Sequence, residues 1–560
     1  MSSISSITKM VSGLSASQRG LQVTGHNISN INTKGYTRQQ LLQHDSPYIT
    51  IGKNGEYSMQ VGSGVSQSEI RQIRDSLADK RLRTESSVLN YYQTLTNAMS
   101  EIEAVFDEPH GDTITGALSE FWSQAQKLNT APDGVEERLS FISTAKVLIG
   151  KINDVSNSLR DYQDKINDEV TTSVHNINSL IRQIRDVNEK IAKVEQSGHD
   201  SKGNYYKIEE ANDFRDERNL LLDELSTYGN IDYYEEPDGR VLVKFEGQIV
   251  VSNKFITEMK LETTDPINGS HFNRPVWEYT DATTPGRPVY DLSKETTNIN
   301  GNDTGKLKGL LIARGDKPVT YDTKWDEISL NDNYSVDKEG NSFFIPKIQK
   351  TLGEFTNKLT TMVNECFDGT GIGSSIGEKG VIMFIPINCP STIKHPDASS
   401  TPAEWEKYKN DIKEYLVPGN IQINPKLLEE GGYNHLGTVT GDINNTGSNE
   451  KITEFLGKWE SNIDWFTGEG GNAPYPKTTN ITDFFSEFIT DIGTDGSLYA
   501  AKSKEKNTSV MNIENERLAI SGVSQDEEFS NMIKYQHAYN ASARMITMLD
   551  GMLDVVINKL

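Results

Sequence analysis

The chain has 560 residues, 24% of them charged and 35% apolar, with a formal net charge of −24. That length suffices for several domains, each with its own core. The acidity disfavours nucleic acid as a partner, two cysteines exclude a disulfide framework, and no apolar run reaches the ~18 residues of a membrane helix, so no membrane insertion is expected.

Residues 1–40 open on a stripe of Ile4, Ile7, Val11, Leu14, Gln18 and Leu21, stepping by three and four. A helix with this heptad rhythm needs a partner. Asn27, Asn30, Asn32 and Gly35 end it as a turn cluster, and residues 36–43 read as extended. Residues 47–64 alternate about Lys53-Asn54-Gly55, which predicts a β-hairpin. Helical period returns over 66–106 through Ile70, Ile73, Leu77, Val88, Tyr92, Leu95, Met99 and Ile102, and Pro109-His110-Gly111 stops it. A short amphipathic helix over 118–128 carries Phe121 and Trp122. One long helix is predicted over 135–196, roughly 90 Å if unbroken, and another helix over 213–225.

At Ile231 the period changes. Val241, Val243, Phe245, Ile249 and Val251 alternate around Asp238-Gly239, which signals strands. Strand-like, turn-rich sequence runs to 343. A helix over 345–366, a glycine-rich loop over 369–380 and a core-strand candidate at 381–385 follow. Residues 388–480 read as short strands with helical pieces at 403–415 and 452–459. Helix resumes at 481, turns near Gly493 to Gly496, and runs over 498–518. After Ser521-Gly522 a terminal helix begins, with Ser524 as N-cap candidate. Its stripe is Phe529, Met532, Gln536, Tyr539, Ala543, Ile546, Asp550, Leu553, Ile557 and Leu560.

This order predicts a multidomain α + β chain. Residues 1–44 with 521–560 form a discontinuous terminal α-helical coiled coil for polymerisation. Residues 45–230 with 481–520 form an elongated α-helical bundle body. Residues 231–480 form an inserted β-rich outer region with a helix near 345–366. Neither terminal stripe can bury itself alone, so the two ends meet each other or copies of themselves. Charge favours the meeting: residues 1–44 hold Lys9, Arg19, Lys34 and Arg38 and no acid, whereas 521–560 hold five acids against three bases.

Motifs of catalysis are not evident. His-Glu-x-x-His and Gly-x-Ser-x-Gly are missing. The loop Gly369, Gly371, Gly373, Gly377 fails dinucleotide spacing at Ile376, and Gly305-Lys306 lacks the first P-loop glycine at Asn300. No cofactor and no metal are expected, and no enzyme. Cys366 and Cys389 read as free thiols. Arg314-Gly315-Asp316 is an adhesion-type tripeptide of a kind that arises by chance. Acid clusters Glu209-Glu210 and Asp526-Glu527-Glu528 read as solvated faces or helix N-terminal charges.

The segment Gly25-His26-Asn27-Ile28-Ser29-Asn30-Ile31-Asn32-Thr33-Lys34-Gly35-Tyr36-Thr37-Arg38-Gln39 resembles the N-terminal signature of the bacterial flagellar rod, hook and hook-associated axial proteins. The runs 521–528 and 535–544 resemble the hook-associated branch, as do Phe121-Trp122, Arg215-Asp216-Glu217-Arg218, Gly305 to Leu311 and Ile423-Asn424-Pro425. The resemblance implies a structural, non-enzymatic protein secreted to the flagellum, at the hook–filament junction. It implies export unfolded through the flagellar type III apparatus without a cleaved signal. It further implies an export chaperone on the C-terminal helix, the hook protein and the second junction protein as neighbours, and assembly as a ring of about eleven copies. Ile4, Ile7, Val11, Leu14, Leu21, Asn27, Asn30, Gly35, Tyr36, Phe529, Met532, Gln536, Tyr539, Ala543, Ile546, Leu553, Ile557 and Leu560 are then the expected subunit-interface residues. The alternatives are a sibling axial role, as second junction protein or hook protein, or an adhesin displayed by the outer domain. The tails are expected to order on a template of neighbouring subunits.

Overall fold

The computed structural model describes residues 2–54, 57–106, 113–195, 197–199, 205–207, 211–264, 271–277, 286–290, 292, 303–319, 323–328, 343–368, 379–396, 400–439, 448–466 and 478–558. In chain order the elements begin with α1 (Ser2–Ser29), β1 (Gln39–Asp45), β2 (Ile49–Asn54), β3 (Tyr57–Val61) and β4 (Val65–Gln72). Then come α2 (Ser76–Phe106), α3 (Ile114–Thr130), α4 (Val135–Val194), β5 (Ser197–His199), β6 (Tyr205–Lys207) and α5 (Asn212–Tyr228). Strands β7 (Ile231–Glu235), β8 (Val241–Phe245), β9 (Gln248–Val251), β10 (Met259–Thr263), β11 (Asn273–Trp277) and β12 (Arg287–Pro288) follow. The remainder is α6 (Lys306–Arg314), α7 (Trp325–Ile328), α8 (Phe344–Cys366), β13 (Phe384–Pro386), α9 (Pro402–Lys413), β14 (Ile421–Ile423), α10 (Pro425–Leu428), α11 (Glu450–Glu460), β15 (Ile463–Asp464), β16 (Thr478–Thr479), α12 (Ile481–Ser521) and α13 (Gln525–Asn558).

Two compact units divide the chain. The first comprises Met1–Leu89, Asn176–Glu258 and Glu505–Leu560; the second comprises Asn90–His175 and Met259–Lys504. Three of the four breaks between these units fall inside continuous helices, α2, α4 and α12, and the fourth lies at the start of β10.

In the first unit, α1 packs antiparallel on α13. Gly13 lies beside Ser542 and Gly20 beside Tyr535, so the partner's number falls as the helix number rises. A Cβ on Gly20 would sit 2.7 Å from the Tyr535 ring, so the glycine sets how closely the two helices approach. β1 pairs antiparallel with β4, Leu41 opposite Ile70, and β2 pairs with β3 as the hairpin foreseen at 47–64. Residues 66–72, expected to begin a helix, are instead β4. Strand β1 offers them a partner edge, and α2 begins only at Ser76. The meander β7–β8–β9 buries Val243 and Phe245, and Leu221, Leu222 and Leu225 of α5 are buried as well.

In the second unit the core is aromatic. Phe121 and Phe141 stack at 4.8 Å with Phe367, Phe455 and Trp459 around them, and Trp465 stacks on Phe484 at 3.8 Å. Arg138 is fully buried and ties loops together, donating to the carbonyls of Pro132 and Leu436 and to Thr438 Oγ1. Region 231–480, expected to be β-rich, is mixed. Among its described residues no strand exceeds five residues, and six helices lie there. The signal was lost where burial is complete: Leu307 to Arg314 is buried all along, and such a run has no amphipathic period. The turn expected near Gly493 to Gly496 is also missing. α12 is unbroken because Ile492 and Tyr499, on either side, are both buried, and tertiary packing outweighs the glycines' weak helix preference.

The adhesion-type tripeptide is not displayed. Arg314 is 0% exposed; its guanidinium lies over the Phe272 ring and donates to Asn167 Oδ1 at 2.6 Å and to the Asn273 carbonyl at 2.9 Å. Asp316 pairs with Arg274. Cys366 is buried and Cys389 exposed, both free. Pro109-His110-Gly111, most of the loop 369–380, and Glu209-Glu210 lie outside the described residues.

Candidate subunit interface

The signature loop is shaped by two asparagines, Asn30 and Asn27. α1 ends where Asn30 folds back on the His26 carbonyl, through its amide N–H and through Nδ2 at 3.0 Å. The Thr33 hydroxyl then donates to Asn30 Oδ1 at 3.1 Å. Gly35 has φ +83°, a left-handed conformation that glycine adopts without penalty, and it lies against Leu220. The turn returns the chain to Asn27, which is 1% exposed. Its Nδ2 donates to the Gln39 carbonyl at 2.9 Å, while Oδ1 accepts from the Gln39 N–H at 3.0 Å and the Tyr36 hydroxyl at 2.7 Å. Asn27 thus bonds β1 as a second strand would. Burial, then Asp216, Asp213 and Glu528, push the Tyr36 phenol far up, so it remains a donor.

The loop is held from two sides. Thr37 N–H donates to Asp216 Oδ2 at 3.0 Å, and burial raises that carboxyl to about 6. Arg38 reaches the other terminus. Its N–H donates to the Ser521 carbonyl at 2.9 Å, and its guanidinium meets Glu527 and the buried Glu528, each at 2.8 Å. These acids are those of the cluster 526–528, in the first turn of α13, where the helix dipole also favours them. Behind them, Arg517 meets Asp223 at 2.8 Å and Arg83 meets the same carboxylate at 2.7 Å. Burial alone would raise the Asp223 carboxyl, but the two arginines hold it below its ordinary range. An open cleft of about 790 Å³ adjoins the loop, between Ile31, Lys34, Leu220, Arg517, Leu518 and Val523.

The expected interface residues therefore fall into two groups. Asn27, Asn30, Gly35 and Tyr36 shape the loop from within the chain, and any action of Asn27 on a neighbour passes through the segment it holds. Along α13, Met532, Tyr539, Ala543, Ile546 and Leu553 are half-buried, on the side that also carries Tyr535 and Ser542 toward α1; Ile7, Leu14 and Leu21 are half-buried on α1. Val11, Phe529 and Gln536 are exposed. The side chains of Ile4 and Ile557, and all of Leu560, lie outside the described residues.

Sequence reasoning missed a second apolar face on α13: Ile533, Met545, Met548, Met552 and Val555 are all exposed. Spacings of three and four from Met545 to Val555 could have revealed it, but the longer heptad stripe overlaps it. Leu518 and Ile520, at the end of α12, add to the exposed apolar surface. Among the described residues no helix is long and apolar enough to cross a membrane, and no cluster of His, Cys, Asp and Glu could hold a metal ion.

Paired terminal helices and this loop are what the resemblance to flagellar axial proteins implies, and the comparisons with known proteins bear on it directly. The family described as flagella basal body rod protein matches residues 10–37, and the flagellar basal body rod FlgEFG protein C-terminal family matches 514–560. The family described as flagellar hook-associated protein FlgK helical domain matches residues 99–384, just over half the chain. The chain belongs to this family of flagellar structural proteins. It is 27% identical to flagellar hook-associated protein 1 of Bacillus subtilis over 554 residues, covering 97% of this chain and 96% of the relative. Against flagellar hook-associated protein 1 of Salmonella typhimurium it is 23% identical, covering 99% of each. The flagellar hook junction protein FlgK of Burkholderia pseudomallei shares the fold, with a TM-score of 0.52 and 12% identity over 80% of this chain and 100% of that one.

Proposed function

We propose that this protein is the first junction subunit between flagellar hook and filament, and that it is added by packing its terminal helix pair against neighbouring axial subunits. The observation that carries the reading is the two-faced α13: one apolar face meets α1 and the other, from Met545 to Val555, is exposed in the single chain. An exposed apolar stripe of this kind on a soluble chain marks an interaction surface. The cleft beside the signature loop gives a neighbour a second place to seat.

In this reading the chain is not an enzyme. It leaves the cell unfolded through the type III export apparatus, with a chaperone on its C-terminal helix. Outside, it forms a ring of about eleven copies on the hook protein, beneath the second junction protein. The acidic outer region faces solvent. Labelled antibody against the chain should mark hook tips of cells that make no filament, and removal of both terminal helices should abolish both the label and filament growth. A truncated chain that still supports a filament refutes the reading.

A further inference from the structure

The exposed face of α13 is unusual in its chemistry as well as its position. Met545, Met548 and Met552 stand at steps of three and four, roughly 80° to 140° round the helix from Tyr535, on a flank of the face by which Tyr535 and Ser542 meet α1. They are 46%, 62% and 59% exposed, with Val555 at the end of the row. By contrast Met99, Met259, Met362 and Met383 are buried in the core of the second unit. A methionine thioether is apolar and adaptable, and its sulfoxide is polar and rigidly dipolar. Met511 on α12 and the Cys389 thiol are also exposed, but Met545, Met548 and Met552 are the accessible sulfurs that lie along the stripe that must stay apolar to join a neighbour.

We infer that Met545, Met548 and Met552 form a reversible modification site at which peroxide or hypochlorous acid switches off incorporation of the subunit. The inference rests on the assembly reading above. With peroxide, the thioether sulfur attacks the terminal oxygen. The O–O bond breaks, a sulfur–oxygen bond forms, and water leaves; sulfur loses two electrons and peroxide gains them. A thiol-dependent methionine sulfoxide reductase reverses the step, with a dithiol becoming a disulfide and the oxygen leaving as water. The α1-facing side of α13 and the signature loop contain none of these three sulfurs, so the chain stays folded while its joining surface becomes polar.

The test uses the full chain, treated with hydrogen peroxide, and purified hooks that lack this protein. Peptide mass spectrometry should find sulfoxide at Met545, Met548 and Met552 well before Met99, Met259, Met362 and Met383. Incorporation of oxidised chain onto the hooks should fall about tenfold or more, with circular dichroism unchanged, and sulfoxide reductase should restore it. The variant with Met545→Leu, Met548→Leu and Met552→Leu keeps the apolar stripe and should incorporate equally with and without peroxide. Untreated chain that fails to join hooks overturns the assembly reading. Untreated and oxidised chains that join equally, or a triple variant that remains peroxide-sensitive, overturn this inference alone.

Discussion

Asn27→Ala removes a side chain that hydrogen-bonds α1 to β1. The Gln39 N–H and carbonyl point to Asn27, at 3.0 and 2.9 Å, while the preceding Arg38 carbonyl turns the other way to accept from Ile73. With alanine both Gln39 groups lose their partner inside a buried site. Each unsatisfied buried backbone group costs about 1–3 kcal/mol, so the pair costs roughly 2–4 kcal/mol after partial relaxation. The Tyr36 hydroxyl is only half-buried and can turn to water, so it adds little. The loss is local, and native-state hydrogen exchange is the direct measurement. Protection of the Gln39 amide should fall roughly 30- to 1,000-fold, whereas amides of α8 should be unaffected. Equal protection of Gln39 in variant and native protein would show that the asparagine does not hold the strand, and the account of the signature loop would fail.

Three other substitutions probe separate points. Ala543→Glu puts a charge on the half-buried stripe of α13 and should block incorporation onto hooks while the second unit keeps its proteolytic resistance; normal motility would count against the packing. Asp216 has its folded carboxyl raised from 3.8 to about 6 by burial, so ionising it opposes folding. Its contribution is fully present below about pH 4 and is lost as pH rises through 6, about 3 kcal/mol in all. Asp216→Asn keeps an acceptor for Thr37 and should flatten that part of the urea-midpoint profile between pH 4 and 7; identical slopes would refute the assignment. Arg314→Ala leaves the Asn273 carbonyl without its guanidinium donor and Asn167 Oδ1 with the Asn273 N–H alone, and should cost about 3 kcal/mol. Thermal unfolding monitored at the aromatic core checks it, and an unchanged midpoint would mean the buried arginine is dispensable.

Most of the helical plan was legible in the residues because amphipathic helices announce their period. The helix expected over 135–196 is Val135–Val194, and that expected over 345–366 is Phe344–Cys366. Pairing of the two ends was legible from complementary stripes. What could not be read depends on partners distant in sequence. Residues 66–72 hold one apolar side chain, Ile70, which fixes no period by itself, and the β1 edge decides. α6 is apolar on every side because it is surrounded, which erases its signature. The loop residues were identified by likeness, but their hydrogen bonds were not; nothing in Asn27 itself tells that it bonds Gln39 rather than another molecule. The methionine face was hidden for a different reason: two overlapping stripes on one helix look like a single broad one.

Arg38 and its carboxylate partner Glu528 are 490 positions apart. A ribosome adding ~5–20 residues each second takes roughly 25–100 s to make that interval. For all that time the Arg38 guanidinium lacks this counterpart, although Asp216 and Leu220, which hold the other side of the loop, are made earlier. The clasp can form only once Glu528 has been delivered, so this unit closes after both of its earlier segments, Met1–Leu89 and Asn176–Glu258, are in place.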